Sequence, residues 1–469
     1  MADDHTSQAW GVYGSILDTL IQMPGIQRLA DEGCLLTNAF CTNSICVPSR
    51  ATILTGQYSH VNKVYTLGDS LNRTLETFPK LFSAHGYTTA IIGKWHLKTK
   101  PAGFDYYNVL PGQGRYHNPI LRDSLTWSHG KEYKGFSADI ITDLSIKWLQ
   151  ERPQDKPFVL MTHYKATHEP FDYPDRLKGL YDEIDIPAPE SLLDFGTTTS
   201  GRTFSGQVLE ILGQRYEKGN GYPGQSFSLK GLDSLQARKK IYEKFIRDFL
   251  RSAKSIDENI VRLLKFLDDN RLTENTVVIY TSDQGYFLGE HGFFDKRMMY
   301  EESMRMPFVV RYPKEIPSGS TLNNLVLNID FAPLLLDYGN IKIPRTIQGE
   351  SFRNLLISGH STMWRKSIYY RYWMHQKQRP AHFGIRNERY KLIFFYGLPL
   401  DMSGADKEIT PSGWEFYDLQ NDPRELKNVY HDSSYFHIIS QMKTEMKTLR
   451  KEVGDVDEKY PEIDNMAGW

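Results

Sequence analysis

Three short apolar runs, each ending abruptly in a polar cluster, limit what this chain can fold into. Residues 87–92 read Tyr-Thr-Thr-Ala-Ile-Ile and run into Gly93, Lys94, Trp95 and His96. Residues 158–161 read Phe-Val-Leu-Met and lead to His163, Tyr164, Lys165, Ala166, Thr167 and His168. Residues 276–280 read Thr-Val-Val-Ile-Tyr and lead to Ser282, Asp283, Gln284 and Gly285. Runs this short, apolar on both faces, are the pattern of parallel strands buried between helices. Helical periodicity fills the intervals, over residues 77–85, 136–149 and 235–270. The alternation predicts an α/β sandwich around a mostly parallel sheet. In such sheets ligands bind beyond the carboxyl ends of the strands, so three ends carrying Lys, His and Asp predict one shared site.

The chain has 469 residues, 40% hydrophobic and 24% charged, which excludes disordered and fibrous classes and allows one large domain with a smaller one. Lys and Arg number 56 against 57 Asp and Glu, a net charge of −1. That balance argues against nucleic acid or an anionic membrane as partner. An anionic substrate would need cations gathered locally. No apolar run reaches the roughly 18 residues of a membrane helix, and three cysteines cannot build a disulfide framework. Residues 186–235 are rich in Gly, Ser, Thr and Gln and read as a functional loop or lid. After residue 359 aromatic strand-like runs appear at 368–373, 390–396 and 414–419, with a polar hairpin break at 386–389 and a last helix over 434–453. The expected division is therefore a catalytic domain over 1–359 and a smaller α+β subdomain with an antiparallel sheet over 360–469.

Residues 46–56 read Cys-Val-Pro-Ser-Arg-Ala-Thr-Ile-Leu-Thr-Gly. Pro48 and Gly56 frame a short helix with Cys46 at its start, where free N–H groups favour an anion. A low-pKa nucleophilic thiol fits that placement. A cysteine-phosphatase loop does not, because it needs five residues between Cys and Arg and here three intervene. A buried structural thiol explains Cys46 but not Pro48, Ser49 and Arg50 beside it.

Cys46-Val47-Pro48-Ser49-Arg50 with Leu54-Thr55-Gly56, Gly93-Lys94-Trp95-His96-Leu97, the Asp3-Asp4 pair, Asp283-Gln284-Gly285, and Tyr417 to Asn428 together resemble the type I, formylglycine-dependent sulfatases of the alkaline phosphatase superfamily. The resemblance implies an alkaline-phosphatase-like sandwich. It implies that Cys46 is converted by a maturase to formylglycine, whose hydrate is the nucleophile. Asp3, Asp4, Asp283 and Gln284, with residue 46, would hold a hard cation, Ca²⁺ or else Mg²⁺, through oxygen donors. Arg50 and Lys94 would hold the diol and developing charge, and His96 would accept a proton. His168 and Lys296 match the sulfate contacts and leaving-group donor, and Lys165 shares the pocket. Gln284 replaces the family's usual Asn and keeps an amide oxygen. Relatives place a core strand before the acidic pair, whereas this chain starts at Met1. The expectation is a missing central strand and weakened metal binding. Periplasmic or secreted placement is implied by relatives.

Asp295-Lys296-Arg297, Tyr300-Glu301, Met306-Pro307-Phe308 and residues 77–79 look most like N-acetylglucosamine-6-sulfatases and related heparan-degrading enzymes. The implied substrate is a sulfated saccharide, a 6-O-sulfated glucosamine of a glycosaminoglycan. Arg371, His375 and His382 lie among aromatics and are expected to line the sugar pocket. Alternatives are another sulfate position, a phosphonate or phosphate ester hydrolase of the same superfamily, and an inactive sugar-binding homologue.

Overall fold

The structure, a computed structural model, describes residues 1–194, 206–219, 221–224, 226–359 and 363–469. The expected three runs form strands, each somewhat longer or shifted. The main sheet is built from β1 (Cys34–Leu36), β2 (Thr88–Lys94), β3 (Tyr106–Leu110), β4 (Phe158–His163), β5 (Val278–Thr281), β6 (Phe308–Arg311) and β7 (Ser320–Leu322). One half has the order β3-β2-β4, all parallel. The other has the order β5-β6-β1-β7, in which only β6 runs against its neighbours.

The first residues of the chain lie between the halves. Ala2 pairs in parallel with Ser282 beyond β5, and Asp3 with Thr167 beyond β4. The Ala2 amide donates to the Thr281 carbonyl at 2.9 Å, and the Thr167 amide donates to the Asp3 carbonyl at 2.7 Å. Residues 1–3 thus bridge the carboxyl ends of β4 and β5 through isolated pairs, without forming a strand between them. Their hydrogen bonds reach Thr162, Tyr164, Ala166 and Thr167 on one side and Thr281 on the other, at the carboxyl ends of β4 and β5.

Helices cover both faces. α1 (Pro24–Asp31), α4 (Ser137–Glu151) and the long α6 (Ser234–Asp269) pack one core with Ile92, Ile141, Phe245 and Phe249. α6 starts in a capping box, in which Asp233 accepts from the Gln236 amide and Gln236 from the Asp233 amide, at 2.8 and 3.1 Å. On the other face lie α2 (Cys46–Thr55), α3 (Phe78–Ala84) and α7 (Phe331–Tyr338), around Val47, Leu54, Phe82, Ile91 and Leu336. The stretch expected to be a structureless loop contains α5 (Leu209–Glu217), which buries Leu209, Leu212 and Tyr216 against α6. Gly213 permits that approach, since a Cβ there would come 2.5 Å from Ile241.

The C-terminal region is the expected antiparallel sheet, β8 (Ser367–Tyr372), β9 (His382–Asn387), β10 (Tyr390–Phe395) and β11 (Gly413–Asp418), in sequential order, backed by α8 (Phe436–Val453). It shares one continuous apolar core with β1, β6 and β7, through residues such as Phe40, Phe308, Tyr370 and Phe394. No helix among the described residues is long and apolar enough to cross a membrane.

Candidate active site

Four sequence-distant elements converge at the carboxyl ends of the strands. α2 delivers Cys46 and Arg50; β2 delivers Lys94 and then His96; the segment between β4 and β5 delivers Asp3 and Asp4; the end of β5 delivers Asp283 and Gln284. Asp3, Asp4, Lys94, Asp283 and Gln284 are fully or almost fully buried. The donor atoms of Asp3, Cys46 and Asp283 lie within 4.8 Å of one another. Arg50 ties the elements together: its Nε donates to Asp283 at 2.9 Å, one Nη to the Lys94 carbonyl at 3.0 Å and the other to Asp3 at 3.5 Å. Below it, Ser49 donates to the Asp283 carbonyl and accepts from Asn328 at 2.9 Å.

Backbone strain collects here. Asp4, His96, Asp295 and Arg297 all have φ between +60° and +95°, a conformation that non-glycine residues adopt at a cost of about 1–3 kcal/mol. Gly93 has φ +104°, and a Cβ on it would stand 1.9 Å from the His163 carbonyl oxygen. Only glycine lets β2 lie that close to β4 just before Lys94.

Burial pushes the Cys46 thiol up to about 12. An unmodified Cys46 is therefore a neutral thiol at pH 7, which removes the reading of a low-pKa nucleophile. His96 is pushed down to about 2 by burial and then by Lys94 and Arg50, so its ring is neutral. Its Nδ1 is buried and has no partner among the described residues. His168 is likewise held well below the usual histidine range by burial, then by Lys94, Lys296 and Lys165. Its Nδ1 donates to the Glu169 carbonyl at 2.8 Å, which turns Nε2 toward Asp4 at 3.9 Å. Lys296 is shifted the other way. Burial opposes its charge, but the Asp4 carboxylate, in contact at 2.7 and 2.6 Å, outweighs this and keeps the ammonium protonated. Lys165 sits 4.6 Å over the Tyr116 ring and is brought down to about 8 by burial.

The residues present fit a hard divalent cation. Asp3, Asp4, Asp283 and Gln284 offer only oxygen and amide donors, and the Gln284 Oε1 atom is buried without a partner among the described residues. The Gln284 side chain touches the acidic group, since its Nε2 donates to Asp4, and its buried oxygen is a hard donor of the kind a divalent cation takes. Arg50 and Lys296, paired with Asp283 and Asp4, supply local cations for an anionic substrate, and Lys94, paired with Asp3, and Lys165 lie beside them, both held below the usual lysine range by burial.

Arg371, His375 and His382, expected in the sugar pocket, do not join this group and are engaged within the C-terminal region. Arg371 is 2% exposed, ion-paired with Asp455 and Asp457 at 2.7 and 2.8 Å, and covered by the Trp373 ring at 3.6 Å. His375 is fully buried and engaged by the Glu408 carbonyl and the Ala381 amide at 2.8 and 3.2 Å. His382 is fully buried between Tyr370 and Phe395, with Nδ1 donating to the Pro380 carbonyl. All three hold the C-terminal sheet together.

Gln113, which the sequence reading passed over, accepts from Lys94. It lies in the loop after β3, another parallel strand end, so the same rule would have found it. Arg379, from the C-terminal region, pairs with Asp295 at 2.7 Å. No local sequence pattern marks it.

A profile described as Sulfatase matches residues 1–341. The chain belongs to the sulfatase family. A second profile, N-sulphoglucosamine sulphohydrolase, C-terminal, matches residues 289–452. As a sulfatase, the chain is a sulfuric ester hydrolase, and the family in general implies a metal and a formylglycine. An N-acetylglucosamine-6-O-sulfatase of Bacteroides thetaiotaomicron is 36% identical across 97% of this chain and 86% of its own length. An arylsulfatase of Clostridium perfringens is 26% identical across 98% of this chain and 94% of its own. A solved structure described as a complex with its substrate D-glucosamine-2-N,6-O-disulfate superposes with a TM-score of 0.86 at 34% identity, covering 97% of each chain. The α/β sandwich with a C-terminal antiparallel sheet is thus the sulfatase architecture.

Proposed function

We propose that this sulfatase hydrolyses the 6-O-sulfate of glucosamine, N-acetylated or N-sulfated, in saccharides derived from a glycosaminoglycan such as heparan sulfate. The observation that carries this is 36% identity, over nearly the whole chain, to an N-acetylglucosamine-6-O-sulfatase. Asp295, Lys296 and Arg297, which look like the corresponding run of those enzymes, stand beside the cation cluster. The substrate would be met outside the cytoplasm, in the periplasm or as a secreted enzyme.

In this reading a maturase oxidises Cys46 to formylglycine, whose hydrate supplies the attacking oxygen. Asp3, Asp4, Asp283 and Gln284 hold Ca²⁺, or Mg²⁺ in its place, next to residue 46. When bound, the cation supplies Lewis-acid polarisation of the oxygens around it. The remaining work falls to the chain's own side chains. Arg50 is immobilised by Asp283 and the Lys94 carbonyl, so its guanidinium is a fixed positive wall behind residue 46. Lys94 and Lys165 neutralise sulfate oxygens. His96 is neutral and takes a proton from the residue-46 hydroxyl that does not attack, so that the aldehyde re-forms as the bond from residue 46 to the sulfate oxygen breaks and sulfate leaves. Lys296, held as an ammonium, hydrogen-bonds the departing sugar oxygen, which suits it as proton donor. His168 is oriented by its contact with the Glu169 carbonyl, which turns Nε2 toward Asp4 and the Lys296 side of the pocket.

The test is sulfate release from a panel of singly sulfated sugars and a phosphonate ester, after co-expression with a formylglycine-generating maturase, with Cys46→Ala as control. Release from 6-sulfated glucosamine, absent in the control, supports the reading. Release from another position corrects the specificity, and turnover of the phosphonate alone sinks the assignment of substrate.

A further inference from the structure

α5 and the residues just before it grip two loops at once. On one side Val208 bridges Phe293, the Phe294 amide donates to the Gln207 carbonyl at 2.7 Å, and the Gln207 side-chain amide donates to the carbonyl of Lys296. On the other side one Nη of Arg215 donates to both carboxylate oxygens of Glu169, at 2.7 and 2.9 Å, and the Tyr222 hydroxyl donates to the same carboxylate. Glu169 is the residue whose carbonyl orients the His168 ring. The Arg215 guanidinium also lies 5.3 Å from the centre of the Phe294 ring, so the two grips meet. α5 itself is anchored on α6 through Leu209, Leu212 and Tyr216, all buried. None of these contacts reaches Cys46 or the acidic cluster directly.

We propose that Arg215, through Glu169, and Gln207, through the Lys296 backbone, are positioning residues that fix the spacing of His168 and Lys296 on the side of the pocket where the sugar oxygen departs. The proposal rests on the sulfatase reading of those two side chains. A segment docked on α6 and holding both loops sets their separation, as a brace does. A charge-assisted contact from Arg215, joined by the Tyr222 hydroxyl on the same carboxylate, holds Glu169 from two side chains. Loosening the brace should therefore cost most where the leaving oxygen needs help, and little where it leaves unaided.

The variant is Arg215→Ala, with Arg215→Lys as the conservative partner. The Arg215 and Glu169 side chains are 41% and 24% exposed, so both variants should fold. Two readouts are taken on the matured protein. Hydrogen–deuterium exchange is followed in the peptides covering residues 163–171 and 292–300. In parallel, kcat is measured on 6-sulfated glucosamine and on an activated aryl sulfate. Expected for Arg215→Ala is faster exchange in both peptides, a kcat loss of about 10-fold or more on the sugar, and less than about 3-fold on the aryl ester, with Arg215→Lys recovering most of it. Faster exchange in only one peptide, or in neither, overturns the brace. Equal losses on both esters overturn its assignment to the leaving side. A wild-type protein inert toward both esters would overturn the sulfatase reading of the site, while the exchange data would still decide whether the brace exists.

Discussion

Replacing Arg371 by methionine separates a substrate role from a structural one. The guanidinium is buried and binds Asp455 and Asp457 at 2.7 and 2.8 Å. Methionine fills much of the volume but leaves both carboxylates facing a dry interior, with Tyr369 and Arg450 as their remaining partners. Breaking a buried ion pair from one side costs about 3–5 kcal/mol. At about 2 °C per kcal/mol for a large domain, the unfolding temperature should fall by about 6–10 °C. Because Arg371 lies under Trp373 rather than among the acidic residues of the site, KM for 6-sulfated glucosamine should stay within about 2-fold. Asp455→Asn added to the variant should recover part of the loss, since it removes a charge that had lost its partner. Thermal unfolding with parallel kinetics reads both quantities. An unchanged unfolding temperature with a KM raised about tenfold would refute the structural assignment and restore Arg371 to the sugar pocket.

Titrating Ca²⁺ into the purified protein should raise its unfolding temperature, with about 2.7 kcal/mol gained at a hundred times Kd; Asp283→Asn should abolish the rise, and an equal rise in the variant would remove Asp283 from the ligand set. Gly93→Ala, which drives a Cβ to 1.9 Å from the His163 carbonyl, should yield insoluble or strongly destabilised protein, as expression and unfolding assays would report. Lys296→Ala should lower kcat on 6-sulfated glucosamine by about 10²–10⁴ and far less on an activated aryl sulfate, whereas equal losses would move the proton donor elsewhere.

The strands that end in chemistry were legible because burial on both faces writes them as continuous apolar runs. β2 is of this kind, and β4 and β5 carry the same apolar run although Phe158–Thr162 and Val278–Ile279 are only partly buried. β9 was not, because His-Phe-Gly-Ile-Arg-Asn carries its polar residues inward, with Arg386 paired to buried Glu301 at 3.1 Å. β1, β6 and β7 have three or four residues each, too few for a period to show. α5 was hidden by its composition. Its packing on α6 overrides the low helix propensity of Gly213. Arg371 and His382 could not be sorted by residue type, since an arginine or histidine among aromatics suits a sugar pocket and an ion-paired interior equally. The deciding partner of Arg371, Asp455, is 84 positions away in sequence. Arg50, Lys94, Lys165, Asp283 and Gln284 were readable because they sit in the Cys46 motif or at strand ends, whereas Asp3, Asp4 and Lys296 were readable only through the family resemblance.

The segment at the middle of the main sheet also has a bearing on the order of assembly. Ala2 and Asp3 are among the first residues of this sequence, yet their partners are Ser282 on one side and Thr167 on the other. Contacts so far apart along the chain are slow to form, because the intervening loop must close first. Asp3 and Asp4 ride on this segment, and Asp283 lies just beyond the strand end that Ala2 joins. The acidic cluster is therefore complete only when contacts spanning most of the sequence have closed, and capture of a divalent cation there would report that long-range closure.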